Sequence, residues 1–213
     1  MKNISIEKLM LAMIGILLVG IGVAFNAAAA LGNDPIGIVY DGIRSAAHLS
    51  PEQLGMASNI VNIVLVVIVF LLNRHYVNVG TWIYIIPYGI VVTLGGKLYQ
   101  YLFTGQSILT QMMGAFLGCT LLYTGVALYI VADIGLDPFT GLVMVLKDKT
   151  GKEYRKVKIC FDLTCIVLGL LLGGKLGIIT IITALTAGPV IQFLSDAINN
   201  ILNKKSKNNN CAV

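Results

Sequence analysis

Six stretches of this chain are apolar over about the length an α-helix needs to cross a bilayer's hydrocarbon core, roughly 20 residues. They are residues 9–31, 54–72, 79–96, 108–132, 159–174 and 176–194. Little else can be built from such a chain. In hydrocarbon every backbone N–H and C=O must be bonded within the protein, which leaves helices or closed barrels, and runs this long read as helices. Composition agrees. Hydrophobic residues make up 57% of the 213 and charged residues 12%, about half the roughly 25% typical of a soluble domain. Mean hydropathy is +0.86. The formal charge of +5 and a pI near 9.0 do not argue for nucleic acid, because the basic residues flank the apolar runs instead of sharing one face. The chain reads as an all-α polytopic membrane protein with six transmembrane helices.

If all six runs cross, the 15 Lys and Arg residues fall on the side of the N-terminus except for Arg44, Lys97 and Lys175. Positive residues collect in cytoplasmic loops, so both termini are expected in the cytoplasm. Lys2 and Lys8 ahead of an apolar run also fit a signal peptide. The run is longer than a signal's apolar core and has an internal counterpart at 108–132, so it is read as the first span. Two capping boxes are expected. One has Ser50, Pro51 and Gln53 opening the second span. The other is Thr150-Gly151-Lys152-Glu153, starting the fifth helix near Gly151. The tail 203–213 is polar and of low complexity, and is expected to be disordered.

The chain also repeats itself. Gly32-Asn33-Asp34-Pro35 after the first span returns as Gly135-Leu136-Asp137-Pro138 after the fourth. The capping positions Ser50 and Thr150 follow in order, then Asn62 opposite Asp162, then Gly80-Thr81 opposite Ile179-Thr180. This divides the chain into repeats at 1–106 and 107–202, with a cytoplasmic tail at 203–213. Three crossings per repeat is an odd number, so consecutive copies take opposite orientations. That is the inverted-topology architecture of many secondary transporters.

Two copies of Gly-x-Asp-Pro, each closing a long apolar run, together with Gly188-Pro189 late in the last run, resemble the YczE/YyaS/YitT-like family of bacterial integral membrane proteins. The resemblance covers most of the chain, residues 8 to 200. It implies a polytopic helical fold in the bacterial inner membrane and brings no family-wide catalytic residues with it. One departure is visible: the first half has Gly89-Ile90 where the second has Gly188-Pro189.

Each Asp-Pro pair places a favoured N-cap before a proline at the first helical position. Short helices are therefore expected at about 35–47 and 138–148, too short to cross. They are either re-entrant half-helices, whose N-termini carry positive dipole ends into the interior, or interfacial helices that Asp34 and Asp137 merely cap. Asp162 lies inside the fifth run, where an ionised carboxylate needs a partner; it is a proton or cation carrier or one side of a structural pair. Asn62 and Asn26 could line a site or hydrogen-bond between helices. The candidate substrate contacts are thus Asp34, Pro35, Asp137, Pro138, Asn62, Asp162 and Asn26. Lys97 and Lys175, each after a Gly-Gly pair, read as snorkelling side chains. The basic segment 147–158 should meet anionic lipid headgroups. Gly114 and Gly118, and Gly169 and Gly173, have helix-packing spacing, for contacts within one chain or in a homo-oligomer. Trp82, Tyr84, Tyr88, Tyr99 and Tyr101 read in part as an interfacial belt, with cavity lining the less favoured reading for the tyrosines deeper in the helix.

Signals for catalysis are missing. His48 and His75 stand in separate loops, and the four cysteines (Cys119, Cys160, Cys165, Cys211) lack zinc spacing. No phosphate-binding loop occurs, so no cofactor, metal or enzymatic activity is expected. The leading functional expectation is a small secondary transporter or permease for a small polar metabolite or ion, alternating access between its two repeats. The competing one is a non-transporting accessory or regulatory protein acting on a partner complex.

Overall fold

The computed structural model describes residues 6–105 and 107–210. Lys2 and Cys211 lie outside the described residues. Eight α-helices follow one another: α1 (Ile6–Ala29), α2 (Pro35–Ala46), α3 (Leu54–Asn73), α4 (Val79–Leu102), α5 (Ile108–Ala132), α6 (Pro138–Thr150), α7 (Tyr154–Leu171) and α8 (Ile178–Asn210). Single helical turns at Pro51–Gln53 and Arg74–Tyr76 flank α3. Among the described residues, five helical segments are long and apolar enough to cross a membrane: Ile6–Ala29, Pro51–Tyr76, Gly80–Leu102, Ile108–Ala132 and Ile178–Leu202. The sixth expected run falls short. It lies in α7, which has 18 residues and carries Arg155, Lys156, Lys158 and Asp162 in its first half.

The helices end where backbone chemistry stops them. Ser50 N–H donates to Gln53 Oε1 at 2.9 Å, as the sequence suggests. The box expected at Thr150 does not form. Gly151 takes the left-handed conformation, φ 64°, and terminates α6, the usual role of a glycine one step past a helix. Thr150 is therefore the last residue of α6, its hydroxyl donating to Leu146 O at 2.8 Å, and Glu153 stands at the N-cap of α7. The tail also differs from expectation. α8 runs on as helix through Asn210, since lysine is a good helix former and an existing helix propagates readily.

Burial concentrates on α1, which packs along α5 and α4. A Cβ added at Gly22 of α1 would sit 2.7 Å from Gly118 O of α5, so the two backbones touch there. Gly118 and Gly114 thus serve packing within one chain, as does Gly169 of α7, which lies against Ile38 of α2. Gly173 instead ends α7 with φ 88°. α2 packs on α7 and α6 on α3; α1 packs on α4 and α5 on α8. The perimeter is apolar, with Leu71, Phe116, Leu171 and Phe193 each 72–78% exposed, as a surface facing lipid must be. Trp82 and Tyr101 are exposed as expected, but Tyr84, Tyr88 and Tyr99 are buried. Those three point inward and form no interfacial belt.

Both Gly-x-Asp-Pro motifs adopt one backbone conformation. Ala30 and Asp133 are left-handed, φ 57° and 47°, and Gly32 and Gly135 have φ 101° and 158°. Asp34 and Asp137 are extended, with ψ 163° and 158°. Ala30→Gly should therefore raise stability by about 1 kcal/mol, since an L-residue is strained in that region. Gly118→Leu should push α1 off α5 and lower the melting temperature sharply; thermal denaturation in detergent checks both.

Candidate functional site

Neither chain break stands alone in the packed structure; each is closed by a helix from the other half of the chain. After α1, Leu31 O accepts from Ile179 N–H of α8 at 3.1 Å. A Cβ at Gly177 would lie 2.0 Å from Leu31 O, so only glycine fits that crossing. After α5, Thr81 Oγ1 of α4 donates to Leu136 O at 2.9 Å, and Tyr129 OH donates to Gly80 O at 3.1 Å. Thr81 and Thr180 are both buried. These contacts hold Asp34 and Asp137 at the starts of α2 and α6, facing the middle of the molecule.

Between the two motifs lies a ladder of aromatic side chains. Tyr84 and Tyr88 of α4 stack with ring centroids 4.9 Å apart. Tyr88 lies 6.0 Å from Tyr40 of α2, and Tyr84 lies 5.3 Å from Tyr129 of α5. Phe139, the second residue of α6, meets Tyr40 edge-on at 5.7 Å. Tyr88 is within electrostatic reach of both Asp34 and Asp137.

The acids at the motifs differ. Asp137 caps α6, its Oδ1 accepting from Phe139 N–H at 3.1 Å and Thr140 N–H at 3.0 Å. Asp34 does not close the same cap; its Oδ1 is buried without a hydrogen-bond partner. Pro35 and Pro138 are buried at the first position of each short helix. Asn62 of α3 is fully buried and accepts from Tyr40 OH at 3.0 Å. Asn26 of α1, also fully buried, accepts from Cys119 Sγ at 3.7 Å. Asp162 is half-buried and forms an ion pair with Lys158 one turn earlier. Both lie within electrostatic reach of Asp34.

Asp34, Asn62 and Asp162 therefore gather around α2, while Asp137 joins them through Tyr88. Asn26 stays in the α1–α5 contact. Sequence reasoning missed Asn33, Tyr40 and Tyr129. Asn33 sits inside the first motif, where its Oδ1 accepts from Asp34 N–H at 3.0 Å. The Nδ2 atoms of Asn26, Asn33 and Asn62 are buried without partners. A buried donor left unpaired costs about 1–3 kcal/mol. Of the three, Asn33 adjoins Asp34, whose Oδ1 is also unpartnered, and that pair suits a polar solute or ordered water.

A vestibule of about 580 Å³ opens over this region, with Gly32 and Asn33 in its lining and Arg44, Lys97 and Lys175 among its charged residues. Arg44 pairs with Asp41 at 2.8 Å, and Asp41 also accepts from Lys175 N–H at 3.0 Å. None of the seven candidate contacts lines the vestibule itself; Asn33 is their link to it. Among the described residues no group of His, Cys, Asp and Glu is arranged to hold a metal.

An all-helical fold with an apolar perimeter and a buried polar centre defines a multi-pass membrane protein. More narrowly, the chain belongs to a family of unknown function, DUF6198, whose profile matches residues 6–196. It is similar to the uncharacterized membrane protein YczE of Bacillus subtilis (strain 168), 26% identical over 141 residues, which are 66% of this chain and 64% of that protein. The chain thus spans a little under two thirds of that relative's length. An uncharacterized protein of Haemophilus influenzae is 25% identical over 197 residues, 92% of this chain and 85% of its own. No solved structure matches the chain. The likeness to YczE-like membrane proteins expected from the Gly-x-Asp-Pro pair therefore holds.

The unequal acids make a direct test. Asp137→Ala removes a cap and should lower stability by about 0.5–2 kcal/mol, whereas Asp34→Ala should leave stability unchanged or raise it. Tyr40→Phe strands the Asn62 amide and should destabilise by about 1–3 kcal/mol. Adding Asn62→Leu to Tyr40→Phe should recover most of that loss in a double-mutant cycle.

Proposed function

We propose that this protein is a small secondary transporter or channel-like permease for a small polar metabolite or ion, working by exchange between two inverted three-crossing halves. In this reading α1, α3, α4, α5, α7 and α8 cross the membrane, both termini are in the cytoplasm of a bacterial cell, and α2 and α6 are re-entrant. The observation that carries it is the reciprocal closure of the two Asp-Pro breaks, with Ile179 N–H on Leu31 O and Thr81 Oγ1 on Leu136 O, each supplied by the other half of the chain. Further support comes from packing that recurs with the halves exchanged: α2 on α7 matches α6 on α3, and α1 on α4 matches α5 on α8. α7 is short and charged at its start, but 18 helical residues span about 27 Å, close to the hydrocarbon thickness. The vestibule would admit solute from one face toward Asn33. Asp34, whose carboxylate is not spent on capping, would meet the solute first, and Asp137 would meet it after the halves exchange. No enzymatic or nucleic-acid-binding role is assigned.

Uptake into liposomes carrying the purified chain, tested with labelled small polar metabolites and ions, checks this reading. One class should accumulate, and Asp34→Asn and Asp137→Asn should each abolish it, because asparagine removes the charge and, at Asp137, keeps a side chain that can cap. Uptake unchanged in both variants would remove the central site. Orientation is tested separately with single cysteines in a chain whose native cysteines are serines. Leu49→Cys, Gly105→Cys and Lys175→Cys should react with a membrane-impermeant maleimide on intact cells, while His75→Cys and Lys152→Cys should react only after permeabilisation. The competing role, an accessory protein without transport, would be carried by a stoichiometric partner that copurifies and is lost on charge reversal in segment 147–158.

A further inference from the structure

We propose that the groove between α3, α6 and α7 binds one anionic phospholipid drawn from the surrounding bilayer, with its acyl chains in the groove and its headgroup at Lys152 and Lys156. The groove holds about 1000 Å³ and is lined almost wholly by apolar side chains, from Leu146 at its mouth to Phe139 at its depth. Its floor is the protein core: Val61, Phe139 and Cys165 are all buried. The charged lining lies at one end, at Lys152, Glu153 and Lys156 with Thr150 beside them; Thr164, further along α7, turns its hydroxyl to Cys160 O. Glu153 is engaged by Lys156 at 3.4 Å, and the last turn of α6 adds Lys147 and Lys149.

That polarity commits the occupant. A soluble metabolite would leave the apolar walls unmatched, and a zwitterionic lipid would bring a headgroup of no net charge to a rim rich in lysine. A hydrocarbon chain ending in an anionic group satisfies both ends. The site does not depend on the transport reading. It does sit beside the candidate solute site, because Phe139 on its floor touches Tyr40 and lies 6.0 Å from Phe161. An acyl chain in the groove would therefore buttress the start of α6 from the lipid side.

Cys160 is exposed and lines the groove, which makes it a native reporter, while Cys119 lies elsewhere in the α1–α5 contact. The full chain in detergent, given phosphatidylglycerol or phosphatidylcholine, should show Cys160 alkylation slowed several-fold by phosphatidylglycerol alone, with Cys119 unaffected. Native mass spectrometry of the chain with an equimolar mixture should show one retained phosphatidylglycerol. Lys152→Gln with Lys156→Gln, surface changes that leave the fold intact, should erase the preference, and Leu142→Trp should block binding of either lipid. Equal protection by both lipids, or a preference that survives the lysine changes, would overturn the proposal.

Discussion

Two interruptions of the helical backbone, at residues 30–34 and 133–137, set the terms for the rest of this molecule. Each exposes carbonyls and amides that no helix satisfies, in a chain whose surface is otherwise built for hydrocarbon. The protein answers by exchange. The break after α1 is closed by the first turn of α8, through Ile179 N–H and the bare backbone of Gly177. The break after α5 is closed by the first turn of α4, through Thr81 and Gly80. Neither end of the chain can supply its own closure, so the halves are locked together at the level of individual hydrogen bonds.

The same exchange places the tyrosine ladder. With the turns clamped, α2 and α6 start near the molecular middle, and Tyr40, Tyr84, Tyr88 and Tyr129 fill the space between them. The two Gly-x-Asp-Pro turns are alike in having left-handed Ala30 and Asp133 and extended Asp34 and Asp137, and they differ in their side chains. Asp137 spends its carboxylate on capping and Asp34 does not; Leu136 stands where Asn33 stands. α8 is the least buried of the spanning helices, whereas its counterpart α4 packs against both α1 and α3.

Much of this was legible beforehand, and the reasons are specific. The helix class and the short helices followed from apolar length and from Asp-Pro, which leaves a chain few local choices; 35–47 and 138–148 fell within two residues of α2 and α6. Thr150 misled because Gly151 serves equally as the second letter of a capping box or as a left-handed stop, and only packing decides. α7 reads as a span from its apolar second half, and its charged first turns set it apart from the five longer apolar helices. The tyrosines were invisible as a ladder because they come from α2, α4 and α5, and no local pattern connects residues 40, 88 and 129. Pro87 lies inside α4 and Pro189 inside α8, but Pro189 corresponds to Ile90, three residues on from Pro87, so the two prolines do not share a position in the motif pattern.

The interlocked closure also orders the chain's assembly in time. Domains generally fold in the sequence in which synthesis delivers them, yet Leu31 receives its partner only when Ile179 has been made. Through most of synthesis the first turn must therefore sit in the membrane with an unmet carbonyl and an exposed Gly32, sheltered by water, lipid headgroups or the insertion machinery. The second break has no such wait, since α4 is already in place when residues 133–137 emerge. The first half thus acts as a template for the second and is itself completed last, so the final helix closes the fold in addition to capping its sequence.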